Sequence, residues 1–430
     1  MYNIYMSQFF YGGLYIMFKI KNKLSPNLRN AMNSNLHDKY RVIIKCGFLL
    51  EKMEKKITRS KNIVLRVMPN INCICAILSV RFIERFIEYP EVSYIDLDSF
   101  AFCLPCTFET IDIENENLYL RYIDLSNDLP MNGKGVTVSM ISTGIYPNKD
   151  LISPENRIVK SVDLLNNLVH PYDNNGMGTY MAGIIGGNGI CSNDMIKGVA
   201  PRCNFHSIKA FDENGKGFIG DILYALSLIK VDATNLNIKV LCLPFEILHY
   251  NSFILDLFQK SFDEIVSLGI TIVVPSGSNE NVKNSIMGIS TLNNIICVGG
   301  LSSLHPPVPF KYSSLGPCNK KRKPDFLAPC CYISTLFFNK KFISEKNGQK
   351  VYTPHLPVNY AKITCQAAAC AYYSGICALL YEYRNEFNSK DIYSLLKLGS
   401  SPLEVDPEFQ CNGIVYLKDI ILPKNKNKNK

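Results

Sequence analysis

Apolar and polar positions between residues 39 and 100 alternate twice between the period of a strand and the period of a helix. The second helical stretch stops before Pro90, because proline cannot continue a helix. The pattern predicts a small α+β unit of ferredoxin-like type with the order βαββαβ. Its predicted elements are a strand over 40–45, a helix with apolar positions 49, 50, 53 and 57, strands over 62–68 and 73–78, a helix with apolar positions 80, 83 and 87, and a strand over 92–97.

From about residue 118 onward, β-rich runs alternate with amphipathic helical stretches. Such alternation predicts an α/β fold with a parallel sheet flanked by helices, and a ligand site at the carboxyl ends of its strands. The clearest examples are strands over 136–141, 238–243 and 270–274 and helices over 219–230 and 253–268. We therefore predict four segments: a partly disordered extension over 1–37, the ferredoxin-like unit over 38–105, the α/β domain over 118–420 and a disordered tail over 421–430.

Composition supports a folded protein with reduced thiols. The 430 residues are 47% hydrophobic and 19% charged, which is ordinary for globular domains. The sixteen cysteines lack the regular spacing of a secreted disulfide scaffold, and Cys103-x-x-Cys106 has no second pair with which to bind zinc. We expect free thiols, no structural metal and a cytoplasmic location, with a disulfide-bearing secreted protein as the alternative.

The two ends of the chain add little to this picture. Residues 9–18 are apolar, but no basic segment precedes them and no small-residue cleavage site follows, so neither a signal peptide nor a membrane span is predicted. Met17 is an alternative start, which would leave residues 1–16 untranslated. Four of the positive charges behind the net charge of +9 are lysines of a Lys/Asn alternation in the tail. This tail has no aromatic residues on which bases could stack. We expect no nucleic-acid partner.

Four segments of the α/β region carry the candidate chemistry, and they resemble the motifs of the subtilisin-like serine proteases, the subtilases of peptidase family S8. The likeness includes D-N-N-G-M-G-T-Y-M-A-G, similar to the family's N-G-H-G-T-x-x-A-G, and C-Q-A-A-A-C-A-Y-Y-S-G, similar to G-T-S-M-A-A-P-x-x-S/A-G. The resemblance implies a subtilisin-like fold with sites in the order Asp, His, Asn, Ser. The four segments are 135–145, 173–183, 271–280 and 365–380.

All three catalytic-triad positions implied by the resemblance hold residues that cannot do the chemistry. Ser142 stands for the aspartate that orients the histidine, Met177 for the histidine and Ala367 for the nucleophilic serine. A thioether cannot take a proton near neutral pH as imidazole does, and a methyl group cannot attack a carbonyl. The sequence therefore predicts a catalytically inactive subtilase homologue.

The resemblance implies two further features of the old cleft. Asn279 stands where the family has its oxyanion-hole asparagine. Pro244, Phe245 and Glu246 replace the Ser-Leu-Gly segment that holds the substrate backbone, and proline lacks an N–H donor. We therefore expect peptide binding in the cleft to be weakened as well as cleavage.

An alternative alignment slides the fourth motif by two residues and makes Cys365 the nucleophile of a thiol protease. It requires an insertion inside a packed helix, which would rotate the buried face by roughly 200°. Met177 would still leave that thiol without a base, and His170, the histidine nearest in sequence to Met177, is interpreted as a surface-loop residue.

The ferredoxin-like unit ends in Y-P-E-V-S-Y-I-D over 89–96, which resembles the end of the inhibitory prodomain of subtilases. This implies an intramolecularly docked prodomain, and the Lys/Asn/Ile-rich composition is most similar to clostridial subtilases. Relatives there act in spore germination and some are inactive, so a spore compartment and a protein partner such as an active protease are implied. Calcium binding, found in many relatives, stays open, as does a decaying gene product without function.

Overall fold

The computed structural model describes residues 23–111, 130–318 and 321–421. They form two compact units. The first comprises the residues up to Phe100 together with Phe218–Ser227, and the second comprises Ala101–Gly217 and the residues from Leu228 onward. Three predictions concern positions outside the described residues. They are the alternative start that leaves residues 1–16 untranslated, the domain start at 118 and the tail beyond 421.

The first unit is an antiparallel four-stranded sheet with helices packed on it. Its strand order is β2-β3-β1-β4, which is that of a ferredoxin-like unit. The predicted order βαββαβ is confirmed. Its elements are α1 (Pro26–Asn33), β1 (Lys39–Cys46), α2 (Leu50–Thr58), β2 (Ile63–Met68), β3 (Cys73–Ser79), α3 (Val80–Phe86) and β4 (Val92–Leu97).

Helix α1 joins this core although its residues were assigned to the extension. Ser25 caps the helix by accepting a hydrogen bond from the Leu28 amide at 3.1 Å, and Pro26 occupies the first turn, where no N–H is needed. Leu28 and Met32 are buried against the sheet. The packed unit therefore begins before residue 38.

Residues 218–227 attach to the same unit through ion pairs. Arg41 contacts Asp98 at 2.6 Å and Asp221 at 2.7 Å, and Arg66 contacts Asp221 at 2.9 Å. The Gly220 amide also donates to Asp98 at 2.7 Å. Because both carboxylates are almost fully buried, each needs these partners to remain charged.

The second unit is built on a mixed, mostly parallel sheet of eight strands. Its order is β15-β14-β13-β11-β7-β9-β8, with β16 paired to β14, and β15 alone runs antiparallel to its neighbour. The strands are β5 (Phe100–Cys103), β6 (Thr107–Ile111), β7 (Thr137–Ser142), β8 (Ile158–Asp163), β9 (Asn204–Lys209), β10 (Lys216–Phe218), β11 (Ile238–Cys242), β12 (Phe245–Glu246), β13 (Thr271–Pro275), β14 (Ile296–Leu304), β15 (Pro307–Pro309), β16 (Phe326–Pro329), β17 (Ile333–Leu336), β18 (Glu345–Lys346), β19 (Gln349–Lys350), β20 (Tyr360–Thr364), β21 (Ser400–Ser401) and β22 (Ile414–Val415).

Helices cover this sheet, as the alternating pattern predicts. Strands β7 and β13 are buried along their whole length, the burial expected of parallel strands covered on both faces. The long helix α8 is buried from its first residue to Tyr381. The helices are α4 (Lys149–Ile152), α5 (Met177–Gly186), α6 (Ile219–Asp232), α7 (Ser252–Ser267), α8 (Ala367–Tyr383), α9 (Ser389–Leu398) and α10 (Leu417–Ile421).

The predicted α/β fold class is confirmed, and the five predicted elements named for this region are present as β7, β11, β13, α6 and α7 within one or two residues of their predicted bounds. Among the described residues, no helix is both long and apolar enough to cross a membrane.

Candidate active site

Three positions singled out from the sequence lie at element ends of the second unit. Ser142 is the last residue of β7, Met177 is the first residue of α5, and Ala367 is the first residue of α8. All three are at most 2% exposed. In an open α/β sheet, this edge is where ligands and catalytic groups gather.

The first turn of α5 packs directly on the end of β7. A Cβ atom placed on Gly178 would lie 1.8 Å from the Gly144 carbonyl oxygen and 2.4 Å from Ser142 Oγ. The Gly178 amide donates to Thr143 Oγ1 at 3.0 Å. Ser142 Oγ is buried and has no hydrogen-bond partner among the described residues. The hydroxyl therefore faces the turn that begins with Met177, but with no group to which it could relay a proton.

Asp173 fixes the start of α5. One carboxylate oxygen accepts the Gly176 amide at 2.8 Å, and the other accepts the Thr179 amide at 3.0 Å and the Thr179 hydroxyl at 2.7 Å. These bonds satisfy amides that the first turn of a helix leaves free. They hold Met177 in place, where its thioether supplies packing surface and no basicity.

Gln366 anchors the start of α8 to the sheet. Its Nε2 donates to the Val298 carbonyl at 2.7 Å and to Ser276 Oγ at 3.2 Å. The next residue, Ala367, begins the helix with a methyl group. No proton can be removed from that side chain to make a nucleophile.

Asn279 is present near this edge, and its side-chain amide is already bonded. Its Nδ2 donates to the Ser285 carbonyl at 2.9 Å and to Ser314 Oγ at 3.1 Å. An oxyanion hole needs a donor aimed at the reacting carbonyl, and both hydrogens of this amide have other acceptors. The oxyanion role of Asn279 stays a prediction.

Glu246 ties the short strand β12 to the loop after β13. Its carboxylate accepts the Ser278 hydroxyl at 2.5 Å and the Ser278 amide at 2.9 Å. Burial raises the pKa of Glu246, and the two bonds from Ser278 oppose that rise. These bonds tie β12 to the loop after β13, and we call the region flanked by β12 and β20 the groove.

The chain's own segment 101–111 lies in that groove. Phe102 and Cys103 pair antiparallel with Glu246 and Phe245, and the Cys103 amide donates to the Gly215 carbonyl at 2.8 Å. Farther along, β6 pairs antiparallel with β20, from Thr107 opposite Thr364 to Ile111 opposite Tyr360. This pairing uses the two residues after Pro244 and does not require its missing N–H, and the expectation that peptide binding in the cleft is weakened stays a prediction.

This arrangement agrees with comparisons to known proteins. The profile of the subtilase family, peptidase S8, matches residues 133–409. The chain belongs to the subtilase family. It is 29% identical over 308 residues to serine protease AprX of Bacillus subtilis, covering 69% of this chain and 68% of AprX.

Two solved structures share the fold. Fervidolysin from Fervidobacterium pennivorans, a keratinolytic enzyme related to subtilisin, superposes with a TM-score of 0.67 at 15% identity over 89% of this chain. This chain spans 60% of fervidolysin. A cold-adapted subtilisin-like serine proteinase superposes with a TM-score of 0.53 at 19% identity, over 67% of this chain and 91% of that one. The identities are low, so these two show a subtilisin-like fold.

Histidines in this subtilase lie elsewhere in the fold. His206, on β9, is buried with Ser139 Oγ 3.1 Å from its Nδ1 and Asp232 3.5 Å from its Nε2. It precedes the carboxyl end of the strand by three residues, about 10 Å of extended chain. His170 lies in a loop, where its backbone amide donates to Glu345 at 2.8 Å.

A buried ammonium group, which sequence reasoning did not single out, lies next to Ser142. Lys209 is the register partner of Ser142 on β9, and its Nζ donates to Thr143 O at 2.6 Å, Asn174 Oδ1 at 2.7 Å and Phe211 O at 3.1 Å. Burial lowers the pKa of Lys209, and nearby carboxylates, Asp173 first, oppose that effect. All three of its protons are bonded, so this lysine acts as a positioning group for the loops that it joins.

Cys365 lies two residues before α8 and is fully buried. Its amide donates to the Cys330 carbonyl at 2.9 Å, and its thiol lies close to that of Cys106. Helix α8 runs without interruption from Ala367, and Gly375 packs against Val199 so closely that a Cβ there would lie 2.5 Å from the valine Cβ. The alignment that makes Cys365 the nucleophile stays a prediction.

Imidazole, thiol and carboxylate groups are the side chains that bind metal ions in proteins. In residues 23–111, 130–318 and 321–421, no three His, Cys, Asp or Glu side chains come together in a way that could hold a metal ion.

Proposed function

We propose that this chain is a catalytically inactive subtilase homologue that acts by binding or regulation. The observation that carries the proposal is the combination at one sheet edge of Ser142, Met177 and Ala367. The scaffold would use a carboxylate, an imidazole and a hydroxyl at these places. For subtilisin itself, removal of the serine or the histidine lowers kcat by about 10⁶-fold.

Two contacts support the loss of catalysis. The amide hydrogens of Asn279 are taken by Ser285 and Ser314, which leaves neither for a reacting carbonyl. The chain's own residues 101–111 fill the groove through backbone pairing with β12 and β20. An external peptide would have to displace them before it could bind.

A thiol protease that uses Cys365 is the second candidate. It is favoured by the position of Cys365 next to segment 101–111, since a nucleophile has to lie beside the backbone that it attacks. The thiol beside Cys365 is that of Cys106, and a second thiol is not a base that could activate it.

A protein partner, such as an active protease of the same family, fits a binding role, and cytoplasm or a spore compartment fits the free thiols. The docking of the ferredoxin-like unit as a prodomain and the likeness to clostridial subtilases stay predictions. The alternative is a gene product without a selected function. Such a protein would have no binding partner, whereas the binding role requires one.

Restoration of the three side chains tests the proposal. The triple variant Ser142→Asp, Met177→His, Ala367→Ser is expected to gain cleavage of its own chain at neutral pH, because it supplies the carboxylate, imidazole and hydroxyl that the proposal says are missing. The matched control, Ser142→Asp with Met177→His alone, should stay inactive since it lacks the nucleophile. Peptide hydrolysis by the unmodified chain would contradict the proposal, and loss of that hydrolysis in Cys365→Ala would support the thiol protease.

A further inference from the structure

Two cysteines face each other where segment 101–111 crosses the groove. Cys106 directly precedes β6 and Cys365 directly follows β20. These strands are antiparallel, and Thr107 is the register partner of Thr364. Continuing the register by one residue places Cys106 opposite Cys365. Directly opposed residues of antiparallel strands have Cα atoms about 4.5–5.5 Å apart, within the range of about 4.4–6.8 Å that a disulfide spans.

The side chains also meet. The thiols of Cys106 and Cys365 are close enough to interact, and this interaction together with burial raises the pKa of Cys106. The Cys365 backbone is held on its other side by its bond to the Cys330 carbonyl at 2.9 Å. A bond between the two sulfur atoms therefore needs little backbone movement.

Other thiols are less suited to pair with Cys106. Cys103 is three residues away along the same segment, which spans about 10 Å when extended, beyond the reach of a disulfide. Cys330 is already engaged, because its thiol donates to the Leu301 carbonyl at 3.4 Å. Cys365 is the partner that the register selects.

We propose that Cys106 and Cys365 form a redox-sensitive dithiol whose disulfide locks segment 101–111 into the groove. The oxidant is a peroxide or a small disulfide such as oxidised glutathione. With hydrogen peroxide, one thiolate attacks the O–O bond and becomes a sulfenic acid while one water leaves. The second thiol then attacks that sulfur, forms the S–S bond and releases the second water. A dithiol reductant reverses the change by thiol–disulfide exchange.

The disulfide would add a covalent link to a strand pairing that is otherwise non-covalent. In the reduced chain, β6 stays on β20 by backbone hydrogen bonds and can open locally. In the oxidised chain, the segment cannot leave the groove even when those bonds break. The inference holds whether or not the chain cleaves peptides, because it concerns only the two thiols and the pairing between them.

The reaction rate should depend on pH in a defined direction. The thiolate is the reacting form, and the raised pKa of Cys106 keeps that thiol protonated at neutral pH. Disulfide formation is therefore expected to be slow at pH 7 and to accelerate as pH rises toward 9.

Disulfide mapping of the purified full chain tests the proposal. The chain is treated with hydrogen peroxide or oxidised glutathione, remaining thiols are alkylated, and the peptides are analysed without reduction. We expect one peptide pair that joins Cys106 to Cys365 and a loss of two hydrogen atoms from the intact mass, reversed by dithiothreitol. Amide exchange of residues 107–111 in the oxidised chain should slow by about tenfold or more.

Cys106→Ser should lose both the linked peptide and the slowed exchange, and Cys411→Ser, at a half-exposed thiol distant in sequence, should keep both. Mapping of the unmodified chain needs no variant, so the test survives a variant that fails to fold. A Cys103–Cys106 linkage, or alkylation of both Cys106 and Cys365 as free thiols after oxidation at pH 9, would overturn the proposal.

Discussion

At the residue scale, the account depends on what one side chain at the start of α5 can do. Met177 is the first residue of α5, and Asp173 holds the turn around Gly176 in place. Basicity is lost and packing is kept, because a thioether fills the volume of an imidazole without accepting a proton. The fold can persist after such a change, since the substituted side chain was needed for chemistry.

The sequence could predict these residues because each is defined by local context. Ser142 follows a buried strand, and Met177 and Ala367 each begin a helix within a recognisable motif. The sequence could not predict the bonds of Asn279 or the pairing of Cys106 with Cys365. Those contacts depend on how segments far apart in the chain approach each other, and no local pattern encodes that distance.

His206 gives a prediction for the pH dependence of stability. Burial lowers its pKa to about 4 from the ordinary value of 6.5, with Asp232 opposing that shift and Lys160 adding to it. Below pH 6.5 the His206 side chain is protonated in the unfolded chain and stays neutral in the folded chain. The free energy of unfolding therefore falls as pH drops from 6.5 toward 4. The loss from this residue should be about 2 kcal/mol at pH 5 relative to pH 7.5.

Urea denaturation at the two pH values measures this loss, and His206→Gln should reduce it by that amount. His170→Gln, in a loop, serves as the control and should keep the dependence of the unmodified chain. An equal pH dependence in His206→Gln and the unmodified chain would count against a buried, neutral histidine.

At the scale of elements, the packing of α5 on the end of β7 defines the site. The period of the apolar residues predicted the strands and helices because burial on one face or both sets that period. It did not predict β5, β6 or β12. These strands have four, five and two residues, and runs that short show no clear period on which to base a prediction.

Gly178→Ala tests this packing. The added methyl group would meet the Gly144 carbonyl oxygen at 1.8 Å, a backbone atom that cannot move without shifting β7. We expect a loss of about 3 kcal/mol in unfolding free energy, seen as a lower urea midpoint.

Gly348→Ala is the matched control. Its φ is +73° and nothing lies within 4 Å of the new methyl group, so only backbone strain of about 1–2 kcal/mol is expected. If Gly178→Ala were no more destabilising than Gly348→Ala, the first turn of α5 would not lie against the end of β7 as described.

At the scale of the whole molecule, this subtilase has the central sheet, the flanking helices and the four segments in the predicted order, and the replacement of its catalytic groups is our proposal. The α/β architecture could be predicted because it depends on alternation along the chain, repeated many times. The location of segment 101–111 in the groove is a property of the folded chain as a whole. This location matters for function, because segment 101–111 is the backbone that a nucleophile at this site would meet before any external peptide.

The measurement that tests the central claim most directly is the intact mass of the purified full chain after prolonged incubation at neutral pH. A chain without the triad should keep the mass of all 430 residues, with no break between Cys103 and Leu118. Spontaneous scission in that interval, abolished by Cys365→Ala or by another single substitution at the sheet edge, would show a working nucleophile and contradict the account.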